Sequence, residues 1–139
     1  MGMYTELNIG VDLAPSTPDN VIKILDYMLG DEEVDVDTPD HPLFQTEGWR
    51  YMLRSDSYYF AGRTDSSITR DAITKCYHLN VRCNLKNYDE EISKFLDFIC
   101  PYLDGYGFIG YTRYEECELP YLIWHDESGI RLLNVYTRD

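Results

Sequence analysis

The sequence predicts an α+β fold: an antiparallel sheet with two helices on one face, built from pseudo-duplicated β-α-β-β units plus a C-terminal strand. The first observation is an internal repeat. Leu7-Asn8-Ile9-Gly10-Val11-Asp12-Leu13 reads onto Leu79-Asn80-Val81-Arg82-Cys83-Asn84-Leu85 at an offset of 72. Val21-Ile22-Lys23-Ile24-Leu25-Asp26-Tyr27-Met28 then reads onto Ile92-Ser93-Lys94-Phe95-Leu96-Asp97-Phe98-Ile99 at an offset of 71. The second observation is periodicity, because each copy passes from a period of two residues to a helical period. A repeat this long and present only twice is no solenoid. It describes one domain over 1–139 with pseudo-symmetric halves at about 4–63 and 76–125 and a last strand at 130–137.

The elements follow in order. Thr5, Leu7, Ile9, Val11 and Leu13 alternate with Tyr4, Glu6, Asn8, Gly10 and Asp12, the pattern of a half-buried strand over 4–13. Ala14 to Thr17 turns the chain, with Ser16 or Thr17 as N-cap and Pro18 in the first helical turn. A helix over 18–29 buries Val21, Ile24, Leu25 and Met28 and closes at Gly30. Residues 31–48 read as irregular, since Pro39 and Pro42 disfavour regular structure. Trp49 to Arg54 and Ser57 to Ala61 read as two strands of a hairpin, and Arg63 to Thr74 as a loop or short helix. The strand at 76–85 repeats the first, with Tyr77, Leu79, Val81, Cys83 and Leu85 inward. Asn87 and Glu90 form the expected capping box of a second helix, and Pro101 ends or kinks it. Strands follow at 107–115 and 119–125, a turn at Gly129, and the strand at 130–137.

This element order resembles tandem β-α-β-β ligand-binding modules of the GyrI-like kind and, more loosely, ferredoxin-like folds. The resemblance is one of order alone, so no functional residue is carried over from it.

Composition narrows the classes of function. The chain has 25 acidic and 12 basic residues, a net charge of −13. Such a field repels a phosphate backbone or an anionic membrane, so direct nucleic-acid and membrane binding are not expected. Thirteen tyrosines dominate the aromatics and suit both half-buried sheets and binding surfaces. Cys76, Cys83, Cys100 and Cys117 form no C-x-x-C pair, and no secretory or membrane-spanning run is present. The expectation is a reducing cytoplasm with all four thiols free.

No catalytic motif stands out. Cys76 and His78 lie two apart on one strand face, but no third orienting group accompanies them. His125-Asp126-Glu127 offers H-x-E without the P-C-x-x-C of a zinc deaminase. No cofactor or metal is implied, and no enzyme is expected.

Binding candidates fall into three groups. The acidic run holds Asp31, Glu32, Glu33, Asp35 and Asp37. An aromatic and basic group holds Trp49, Tyr58 and Tyr59, echoed in the second half by Tyr111, Arg113 and Trp124. Arg beside Tyr and Trp is the composition of an interface hot spot. Asn8, Asn80 and Arg82 belong to the outward phase of the two repeated strands. The leading expectation is a non-enzymatic acidic binding protein that inhibits or neutralises a basic protein partner, as immunity proteins or phage and plasmid counter-defence proteins do. The alternative is a sensor or sponge that holds a small molecule or nucleotide in the groove between the two halves.

Overall fold

The computed structural model describes residues 3–135. The fold is α+β: a six-stranded antiparallel sheet and two helices. The chain runs β1 (Thr5–Leu13), α1 (Asp19–Met28), β2 (Ser67–Arg70), β3 (Tyr77–Leu85), α2 (Glu91–Ile99), β4 (Gly107–Tyr114), β5 (Tyr121–Asp126) and β6 (Gly129–Asn134). Across the sheet the order is β2-β3-β1-β4-β5-β6. The last two residues of the expected strand at 130–137 lie outside the described residues.

The repeated strands are central neighbours. β1 pairs antiparallel with β3, Leu7 opposite Cys83 and Ile9 opposite Val81. Ile9 is also the residue that the repeat maps onto Val81. A pseudo-twofold axis therefore passes between these two residues, and it relates Asn8 opposite Arg82 to Asn80 opposite Gly10.

The core lies on one side of the sheet. Leu7, Ile9, Val11 and Leu13 from β1 and Leu79, Val81, Cys83 and Leu85 from β3 join one apolar cluster. Val21, Ile24, Leu25 and Met28 of α1 enter the same cluster, with Ile92, Phe95, Leu96, Phe98 and Ile99 of α2. Both helices thus cover one face, and burial of their apolar stripes rather than helix propensity holds them there.

Helix ends differ from expectation. α1 starts after Pro18, and Thr17 donates its hydroxyl back to Ala14 O instead of capping. Before α2, Asn87 Oδ1 accepts from Ile92 N. Glu90 adopts a left-handed φ of 60°, and it is Glu91 that reaches back to accept from Asp89 N. Pro101 falls in a 3₁₀ turn, Cys100–Tyr102, that ends the helical segment.

The expected hairpin at 49–61 does not form. Met52–Arg54 is a 3₁₀ turn whose Met52 and Leu53 are buried in the core, and 57–63 is irregular. Trp49, Met52 and Leu53 recur at a helical spacing, which is the period the core selects here. The first half supplies only one strand after its helix, β2, in the segment read as a loop or short helix. β2 is four residues long, mostly exposed, and forms a sheet edge.

Candidate functional site on the open sheet face

The face opposite the helices takes the even-numbered residues of β1 and β3. Register then fixes its rows. Arg82, Asn8, Tyr111, Leu122 and Leu133 lie abreast across β3, β1, β4, β5 and β6. Asn84, Glu6 and Arg113 form a second row, and Phe108, Trp124 and Arg131 a third. The half built from β4 to β6 is aromatic and apolar, with Phe108 57% and Trp124 36% exposed. The half built from β3 and β1 is polar.

Two departures from a flat sheet create concavities. At the first, a bulge at Phe108–Gly110 ends the pairing of β4 with β1 beyond Ile9. The gap becomes a cavity of about 360 Å³ bounded by Asp12, His78, Asn80, Asp104, Tyr106 and Phe108. At the second, the segment 57–63 folds back over the face. Phe60 is buried there and lies 5.0 Å beneath the Arg113 guanidinium. The result is a cavity of about 430 Å³ lined by Glu6, Gly62, Arg82, Tyr111 and Arg113, with Glu118 and Pro120 at its rim.

In the first cavity the titratable groups are already paired. His78 Nδ1 stands 2.5 Å from Asp12 Oδ1, and Nε2 stands 3.4 Å from Asp71 Oδ2. These two carboxylates, Asp12 before Asp71, raise the imidazole above its ordinary 6.5. Asp71 is held below the carboxylate range by the N–H groups of Ile73 and Thr74 and then by His78. The Cys76 thiol faces Asp104 Oδ2 at 3.2 Å, which raises its pKa and keeps it a thiol. A Cys76–His78 nucleophilic pair is therefore not built: the thiol is turned to one carboxylate and the imidazole to two others. His125 is buried, bonded through Nδ1 to Gly105 O at 2.8 Å and packed on Tyr106. Among the described residues no three His, Cys, Asp or Glu side chains converge on a metal position.

The raised His78 value carries a pH signature. It belongs to the folded state, so its stabilisation is fully present below the unfolded value of 6.5 and fades as pH rises through the folded value. Asp12→Asn should bring the His78 titration, followed by NMR, back toward 6.5, and should flatten the fall in stability above that pH. A His78 titration indifferent to Asp12 would refute the pairing.

The predicted binding residues divide by location. Asn8, Asn80, Arg82, Tyr111, Arg113 and Trp124 do share the open face, and Asn8 Nδ2 reaches Tyr111 OH at 3.5 Å. Tyr58 is 88% exposed and stacks on Tyr59, which also packs on Tyr4. Trp49 is 3% exposed and sits in the core against Phe44 and Tyr27, so it presents no ring to a partner. Asp31, Glu32, Glu33, Asp35 and Asp37 are exposed, but their loop belongs to the helical layer. Asn20 of α1 donates to Asp37 O, and Glu32 pairs with Arg54 at 3.6 Å. The acidic run thus abuts the 49–54 segment without flanking an aromatic hairpin. Glu6 pairs with Arg113, whose Nε lies 3.7 Å from Oε1.

Sequence reasoning missed Phe108, Leu122 and Leu133, whose shared face depends on the bulge, and the burial of Glu6, which depends on Phe60 and Gly62 arriving from a distant segment. In comparisons with protein-family models, curated proteins and solved structures, nothing matches this chain. No helix among the described residues is long and apolar enough to cross a membrane.

Proposed function

We propose that the protein is a non-enzymatic binding module that docks a basic protein partner on the β4–β6 half of its open sheet face. One observation carries this reading: Phe108, Tyr111, Leu122, Trp124 and Leu133 form an apolar and aromatic strip with no helix over it. Exposed strips of this kind on an otherwise charged surface mark interaction sites. The chemistry of the partner follows from charge. The chain carries −13, and Glu116, Glu118 and Glu127 are exposed in the turns beside the strip. Complementary potential speeds encounter, while buried aromatic rings supply most of the binding energy. The loop at 31–37 adds to the long-range field from the helical layer and makes no contact with the docked partner. Neutralising a rival's basic surface, as an inhibitor or immunity protein does, is the role this chemistry suits. A reducing cytoplasmic setting belongs to the same proposal and is supported by four unpaired cysteines.

The test begins with affinity capture from a lysate, followed by reconstitution from purified components. A basic partner should be retained by the wild type at low salt. Glu118→Gln with Glu127→Gln should slow its association and weaken the salt dependence, whereas Trp124→Ala should speed dissociation. Retained partners that are acidic, or that bind Trp124→Ala and wild type alike, would overturn the proposal.

A further inference from the structure

The geometry points to a binding site for a methylated ammonium ion, in a cavity of about 410 Å³ where the two halves of the domain meet. Tyr4, Glu47 and Tyr51 reach it from the first half, and Tyr88, Asp89 and Glu91 from the second. It shares no residue with the strip at Phe108 and Trp124 or with the two cavities of the open face. Charge sets the sign of the ligand. Glu47, Asp56, Asp89 and Glu91 line the cavity, and Lys86 is its one base. Asp56 is matched by Arg63 at 2.7 Å, which leaves three acids facing one base. Lys86 stands 5.9 Å from the Tyr88 ring centroid and pairs with no carboxylate among the described residues.

Glu91 shows that the acids are more than a solvated rim, because it is only 6% exposed. Its Oε1 accepts from Asp89 N at 3.1 Å, as a first-turn acid of α2 can. Its Oε2 receives no hydrogen bond among the described residues, and no cation pairs with it. Gly48, also in the cavity wall, leaves that oxygen its room: a Cβ there would stand 2.6 Å from Oε2. A buried carboxylate is costly unless a cation or further donors meet it, and the helix N-terminus relieves only part of that cost. The rings set the kind of cation. Tyr51 is 58% and Tyr88 68% exposed, so both offer π faces, whose negative quadrupole attracts positive charge. A primary ammonium brings three N–H donors that each need an acceptor. A methylated ammonium spreads its charge over methyl groups that need none. Those methyls pack on the tyrosine rings and on Met52 and Leu85, which complete the wall.

NMR titration of the full chain with choline at constant ionic strength tests this, with ethanolamine and dimethylbutanol as separate arms. Ethanolamine carries the charge without the methyl groups, and dimethylbutanol is the neutral isostere of choline. Choline should bind saturably, shifting the amides of Gly48, Tyr88 and Glu91, and the other two probes should bind more weakly. Tyr51→Ala and Tyr88→Ala, at exposed positions that do not threaten folding, should each weaken choline about 3- to 10-fold. Glu91→Gln should weaken choline and bring it closer to dimethylbutanol. No saturable shift with choline would overturn the inference, as would ethanolamine or dimethylbutanol binding as tightly, or a choline affinity unchanged in both tyrosine variants.

Discussion

Gly110→Ala should destabilise the protein by about 2–6 kcal/mol, and its melting temperature should fall by roughly 10 °C or more. Gly110 sits opposite Ile9 where β4 leaves β1, at a φ of +154°. A Cβ built there would stand 2.0 Å from Asn8 O and 2.7 Å from Ile9 Cα. Those are backbone atoms of the central strand, held by pairing on both sides, and they cannot swing away as a side chain would. The substitution must push β4 outward or change its backbone, and either change opens the core near Ile123. Thermal melts read the effect directly. An unchanged midpoint would mean that β1 and β4 do not approach as described.

Trp49→Ala should cost about 3–5 kcal/mol, the usual range for emptying a buried aromatic site. The indole packs edge-on against Phe44 with centroids 4.9 Å apart, and the Arg50 guanidinium lies 4.7 Å from its ring. Tyr58→Ala, by contrast, should stay within about 0.5 kcal/mol, because the Tyr58 ring is largely in solvent. Denaturant titration of the two variants separates a core tryptophan from a surface tyrosine that local composition makes look alike. Comparable losses at both positions would show that the 49–59 segment is packed differently.

That pair of residues also shows where the sequence was legible. β1 and β3 were readable because strict alternation leaves one phase apolar and because the repeat supplies a second copy. The two helices were readable from their apolar stripes. Trp49 to Ala61 was misread because Tyr, Trp and Arg favour strands locally, whereas Trp49, Met52 and Leu53 answer to a core assembled from distant segments. β2 escaped notice because Ser67, Ile68, Thr69 and Arg70 are mostly exposed and carry no apolar phase. At the site, Asn8, Asn80 and Arg82 could be assigned to one face from strand phase, whereas Tyr111 and Arg113 were grouped by composition and join that face only through the β1–β4 register. The cover over Glu6 could not be read, since Phe60 and Gly62 reach it through an irregular segment that no periodicity announces.

The antiparallel pairing of β1 with β3 also governs when the protein can form. Its outermost pair joins Thr5 to Leu85, so the middle of the sheet waits for a contact across most of the chain. During synthesis the first strand leaves the ribosome long before its partner exists, and α1 has no completed apolar face to rest on until β3 arrives. The nascent chain therefore holds Leu7, Ile9, Val11 and Leu13 uncovered through much of translation. Pairing across this sequence separation slows folding, because loop closure comes before the contacts that reward it.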